Sequence, residues 1–175
     1  MAKQNTKSKK GFTIIEVVLV LAIAGLIFLM VFIALPALQR SQRDTQRRDD
    51  MARFMSQLSQ YQSNNAGNTP NTKAEAGKTD QVKYNDFIKN YLEAGGDSFN
   101  DPSTGERYII QRVCSFGGTG CADPYNGENA DGAMGHIYVY TGAKCNGESV
   151  EATQGARKIA ITLKLEGAGV YCGNN

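Results

Sequence analysis

One carboxylate stands at the threshold of the longest apolar stretch in this chain. Glu16 follows Phe12-Thr13-Ile14-Ile15 and precedes residues 17–38, a run of 22 uncharged and mostly apolar positions. A carboxylate in hydrocarbon costs roughly 2.5–3.5 kcal/mol at the bilayer centre and less near the interface. Glu16 is therefore either a boundary residue at headgroup depth or a group kept for a partner. Cysteines 114, 121, 145 and 172 form a second reactive set. None makes a C-x-x-C pair, and the single His136 is not close to a cysteine pair of metal-ligand spacing, so neither a zinc site nor another cofactor is expected. Two disulfides outside the cytosol fit better. Of the three connectivities, Cys114–Cys121 with Cys145–Cys172 is favoured. The first bond closes a Gly-rich loop and the second pins the C-terminal segment, but the other two pairings stay open. Asp123, Asn126, Glu128, Asn129 and Asp131 make a third set, oxygen ligands in a Gly-containing loop. Calcium takes such ligands. The spacing departs from an EF-hand, and these residues fill ordinary turns, so a solvated loop is the expectation and calcium the weaker alternative. With no G-x-S-x-G, P-loop or H-E-x-x-H, no enzyme is expected.

The elements that carry these residues follow from patterning. The apolar run measures about 33 Å as a helix, the thickness of a bilayer's hydrocarbon. It leaves residues 39–175, enough for one small domain. The chain has 175 residues, with 19 Lys+Arg against 17 Asp+Glu. That near balance argues against a nucleic-acid binder driven by bulk charge. Lys3, Lys7, Lys9 and Lys10 precede the run with no acid among them. Arg40, Arg43, Arg47 and Arg48 follow it, diluted by Asp44, Asp49 and Asp50, so charge alone leaves the orientation undecided. Ala22-Ile23-Ala24 has the spacing of a secretory cleavage site, but residues 26–35 stay apolar beyond it, which argues against conventional secretion.

After Pro36 the helical pattern resumes. Met51, Phe54, Met55, Leu58 and Tyr61 share one face. Asp44–Arg48 and Asp49–Arg53 are acid-before-base pairs on the exposed side. One long helix is therefore expected from Phe12 to about Gln62. Its arginines, interleaved with acids, read as a solvated face between subunits rather than a nucleic-acid patch. Residues 63–79 read as a loop. A short helix follows, capped by Asn85, with Phe87, Ile88, Tyr91 and Leu92 on its apolar face and Gly95-Gly96 as its stop. Asp101-Pro102-Ser103-Thr104-Gly105 reads as a turn. Strands are expected over 107–114, 137–141, 158–164 and 169–172. The fold class is α+β: a long N-terminal helix, apolar then amphipathic, packed on a C-terminal antiparallel sheet. Tyr125, Tyr138 and Tyr140 serve equally as adhesive or core residues and carry no assigned role.

Lys9-Lys10-Gly11-Phe12-Thr13-Ile14-Ile15-Glu16 ahead of an apolar helix resembles the processing signal of the type IV pilin family. Gly25 and Leu35-Pro36-Ala37-Leu38-Gln39 resemble that family's helix. The resemblance implies cleavage by a prepilin peptidase between Gly11 and Phe12, N-methylation of Phe12, and a role for Glu16 in assembly. Pro36 is the implied helix kink. It comes about three residues later than in the usual pattern, which rotates the kink by about 300°.

On this reading residues 1–11 are a removable leader and 12–38 the transmembrane and filament-core helix. Residues 39–62 continue the helix, and 63–175 form an extracytoplasmic head. Cleavage removes four lysines and leaves 15 basic against 17 acidic residues, a charge of −2. The expected function is a major pilin, a homopolymer built by a membrane platform and motor. It is a single-pass precursor in the cytoplasmic membrane before it enters an extracellular filament for adhesion, motility or DNA uptake. The alternatives are a pseudopilin or minor pilin of a secretion or competence system, and a signal-anchored surface protein that never polymerises.

Overall fold

The computed structural model describes residues 11–72, 75–116, 134–155, 157–167 and 169–175. The chain divides into two compact units, Met1–Gln39 and Arg40–Asn175. Helix α1 (Ile14–Asn64) begins in the first unit and ends in the second. The described part of the first unit is that helix and the three residues before it, with Pro36 inside the helix.

The second unit is built on the stripe that the sequence lays along α1. Met51, Phe54, Met55 and Leu58 are buried, and Tyr61 packs at the edge of the same core. Helix α2 (Asp80–Phe87) follows the loop and runs into a π-helical turn (Ile88–Leu92). That turn closes with the Glu93 N–H donating to Ile88 O at 3.1 Å. The cap is Thr79, not Asn85: Thr79 Oγ1 accepts from Val82 N–H at 3.4 Å, and Asn85 lies within α2. Thr79 is in extended conformation, the geometry an N-cap needs to turn its oxygen onto the first free amides. Phe54 meets Phe87 edge-on at 5.5 Å and stacks at 6.2 Å on Phe99, so aromatic contacts join the helices in the core.

Six strands follow: β1 (Ile109–Ser115), β2 (His136–Thr141), β3 (Ala143–Asn146), β4 (Ser149–Ala152), β5 (Ile159–Lys164) and β6 (Val170–Asn174). Four of them make a sheet in the order β1-β2-β5-β6. The sheet is mixed rather than wholly antiparallel, because β1 runs parallel to β2 while β2–β5 and β5–β6 are antiparallel. Twenty residues, 116–135, separate β1 from β2, enough chain for the crossover that parallel pairing requires. The hairpin β3–β4 is an addition to the expected strands. Its two-residue turn places Gly147 first at φ 65°, where a type II′ turn takes glycine.

Strand β2 explains how a short sequence feeds two cores. Ile137 and Val139 point into the core beneath α1, while Tyr138 and Tyr140 join Ala143, Val150 and Ala160 on the opposite face. Alternation sends successive side chains to opposite faces, and here both faces are covered. Tyr138 and Tyr140 are thus core residues rather than exposed ones.

Candidate functional site

The N-terminal segment is organised by its own sequence. Thr13 immediately precedes α1, and Glu16 is the third helical residue. Thr13 Oγ1 accepts from Glu16 N–H at 3.3 Å, while Glu16 Oε2 accepts from Thr13 N–H at 2.9 Å and from the Thr13 hydroxyl at 3.0 Å. This reciprocal arrangement is a capping box: each side chain satisfies a backbone N–H that the first turn leaves without a helical partner. The pattern T-x-x-E ahead of an apolar run is its sequence signal, and the reading of Glu16 as an assembly residue passes over it. Negative charge in the first turn also complements the helix dipole.

Beyond Glu16 the helix has no polar face until Pro36. Phe12 is 90% exposed, and Ile14, Leu26, Phe28, Met30, Phe32 and Ile33 are all exposed in the single chain. An 18-residue window reaches a mean hydropathy of 3.2, so α1 is long and apolar enough to cross a membrane. Such a surface in water would forfeit roughly 1.5–3 kcal/mol per large side chain, so it needs lipid or other helices around it. Gly11 and Phe12 precede the helix in irregular, exposed backbone.

A second constellation lies wholly within the second unit. Arg47 is fully buried. Its guanidinium donates to Asp101 Oδ2 at 2.7 Å and Oδ1 at 2.9 Å, to Asp44 Oδ1 at 3.0 Å, to Glu166 Oε1 at 3.1 Å and to Ser103 Oγ at 2.7 Å. Arg43 holds Glu166 through two parallel bonds at 2.8 and 2.6 Å. Asp44 accepts the backbone N–H groups of Glu166 and Gly167, both at 2.8 Å. One helical segment thus grips the turn between β5 and β6 and the turn at Asp101. This corrects the reading of Arg43 and Arg47 as part of a solvated face, while Arg40 and Arg48 stay exposed. The acid-before-base pairs also give way: Asp44 binds Arg47, three residues on, and Arg53 reaches Asp97 and the Leu92 carbonyl.

Burial alone would push the Asp101 carboxyl up, but the bonds from Arg47 and Ser103 and the guanidinium charge outweigh it and bring it down to about 2. Burial likewise works against the Arg47 charge, yet its bonds to Asp101 and Asp44 and the nearby Glu166 hold it firmly protonated. The bonds from Arg43 lead in lowering Glu166. Nearby Asp50 is pushed up by burial, opposed by a bond of 3.1 Å from the Tyr108 hydroxyl. No sequence signal marks Arg47, because a charge on a helix reads as solvated until its partners arrive from 54 and 119 residues away.

The remaining residues are more dispersed. A disulfide joins Cys145 of β3 to Cys172 of β6 and ties the hairpin to the sheet edge. Cys114 is the penultimate residue of β1, and Cys121, its expected partner, lies outside the described residues, as do Tyr125 and the calcium candidates Asp123, Asn126, Glu128, Asn129 and Asp131. Among the described residues no group of His, Cys, Asp and Glu could hold a metal ion. His136 opens β2, half-buried.

Comparison with known families matches residues 6–32 to the prokaryotic N-terminal methylation motif. Neither the curated proteins nor the solved structures contain a significant match to the chain. The chain thus carries the prepilin-type signal of type IV pilins. This supports a pilin-like or pseudopilin protein, and indicates a structural subunit rather than an enzyme. The signal implies processing by a prepilin peptidase and filament assembly, and with the apolar helix it fits a membrane-anchored precursor.

Proposed function

We propose that this chain is the precursor of a major pilin, cut between Gly11 and Phe12 and assembled through residues 12–38 into an extracellular filament. The observation that carries the reading is the apolar segment. It is exposed on every side in one chain, preceded by four lysines and headed by a carboxylate. Lipid receives this surface in the precursor, and the helices of identical subunits receive it in the filament, where close packing replaces lipid contacts. The head, residues 63–175, forms the outer wall. A platform and motor in the cytoplasmic membrane move the subunit from one state to the other.

The capping box gives Glu16 a role before and after processing. Cleavage at Gly11–Phe12 frees the amine of Phe12 but leaves the Thr13 N–H intact, so the cap survives maturation. While the subunit waits in the bilayer, Thr13 satisfies part of the carboxylate locally, which reduces the cost of burying it. In the filament, a neighbour's methylated Phe12 amine supplies the opposite charge, and the need to pair Glu16 sets the register between subunits.

Intact-mass and N-terminal peptide mass spectrometry of the natively produced protein tests the proposal. A mature chain beginning at Phe12 with one added methyl is expected. A chain beginning at Met1 means a permanent anchor, and one beginning beyond Ala24 means conventional secretion. Either result overturns the proposal. Subunit abundance in sheared fibres then distinguishes a major pilin, which dominates them, from a pseudopilin or minor pilin.

A further inference from the structure

A cavity of about 260 Å³ opens between the C-terminal turn of α1, the loop after it and α2. Its size corresponds to about nine water molecules of bulk liquid, the scale of one pyranose ring with its hydroxyls. Tyr61, Phe87 and Tyr91 supply the aromatic wall. Tyr61 meets Tyr91 edge-on at 5.3 Å, and Phe87 stacks with Tyr91 at 5.2 Å. Phe87 is itself locked into the core by Phe54. The wall is therefore braced against the core before any ligand arrives, which limits the ordering cost of binding.

The polar groups around this wall select the ligand's chemistry. Lys78 bridges Glu75 at 3.0 Å and Asp86 at 2.6 Å, and Lys83 pairs with Asp80 at 3.4 Å. Among the described residues that line the cavity, two lysines and two carboxylates cancel, which disfavours an ion. Asn65 and Asn90 add amides at the rim. Among the described residues, neither the Tyr61 nor the Tyr91 hydroxyl has a hydrogen-bond partner. Tyrosine rings set among amides, hydroxyls and paired charges complement a molecule with a C–H face and a hydroxyl edge.

We propose that the cavity formed by Tyr61, Tyr91 and Asn90 binds one neutral pyranose unit of a saccharide. Every lining residue comes from residues 61–91, outside the segment 12–38 through which assembly is proposed.

The test uses the full chain in zwitterionic, sugar-free detergent, since a maltoside would compete for the site. Methyl glycosides of glucose, galactose, mannose and N-acetylglucosamine, each at up to about 10 mM, are observed by saturation-transfer NMR. At least one should bind with a dissociation constant on the millimolar scale. Tyr91→Leu should weaken that binding by about fivefold or more, and Asn90→Ala by roughly threefold. Asn90 is exposed, so its replacement leaves the melting temperature unchanged and separates loss of binding from loss of fold. The proposal is overturned if no glycoside binds, if both variants bind as well as the parent, or if choline or sialic acid binds while the neutral glycosides do not.

Discussion

Replacing Arg47 with methionine is the sharpest test of the buried cluster. Methionine retains most of the apolar stem but removes all five side-chain hydrogen bonds of the guanidinium. Asp101 and Asp44, each no more than 5% exposed, then face a low-dielectric interior without their cation. Breaking a buried ion pair on one side costs about 3–5 kcal/mol. Against a total stability of about 5–15 kcal/mol, that is a large fraction, equivalent to a fall of roughly 10–20 °C in melting temperature. The assay is thermal unfolding of the full chain in detergent, followed by near-ultraviolet circular dichroism of the head tyrosines. Arg48→Ala is the control, because Arg48 is exposed and its loss should cost less than about 0.5 kcal/mol. If Arg47→Met melts within a few degrees of that control, the cluster does not hold the second unit together. The pH dependence adds a second readout. Asp101 titrates lower when folded than when unfolded, so its stabilisation is complete above about pH 4 and is lost as pH falls toward about 2. The melting difference between the parent and Asp101→Asn should therefore narrow below about pH 4, and a constant difference would contradict the assignment.

Other perturbations probe the remaining parts. Glu16→Ala should be cleaved and inserted normally yet yield few sheared filaments, and parental filament yield would dismiss the pairing idea. Thr13→Ala should cost the helix start about 1 kcal/mol, seen as roughly fivefold faster hydrogen exchange at the Glu16 amide, while Thr13→Ser restores protection. Equal exchange in all three would show that the capping box is not populated. Cys145→Ser with Cys172→Ser opens a cross-link spanning 27 residues and should lower stability by about 3–4 kcal/mol. Calorimetry of the double variant checks this, and an unchanged melting temperature would mean that the hairpin is held by packing alone.

Much of the N-terminal half was legible because its information is local. The lysines, Gly11, Phe12 and Glu16 are neighbours in the chain, and the apolar run declares its environment by length and composition. The stripe from Met51 to Leu58 needs only the period of a helix to predict which face is buried. Thr13 is equally local: T-x-x-E is a capping signal, and Glu16 meets Thr13 three residues away whatever it meets in a neighbour. The cap of α2 is less legible, since Thr79 and Asn85 are both good capping residues and only the start of the helix chooses between them.

By itself, then, the sequence determined the apolar helix, the prepilin-type signal at its head, the buried stripe that follows and the order of helix before strands. These depend on contacts within a few turns of chain, where residue type and spacing are sufficient. The tertiary structure alone decided that β1 pairs parallel to β2 and that Arg47 leaves solvent for Asp101 and Glu166. It also showed that Cys145 meets Cys172, the bond favoured among connectivities that spacing left open. Each joins groups from distant parts of the chain. Whether a charge is solvated, or a strand pairs up or down, depends on which partner arrives and what water it displaces, and neither is written in the residues on either side.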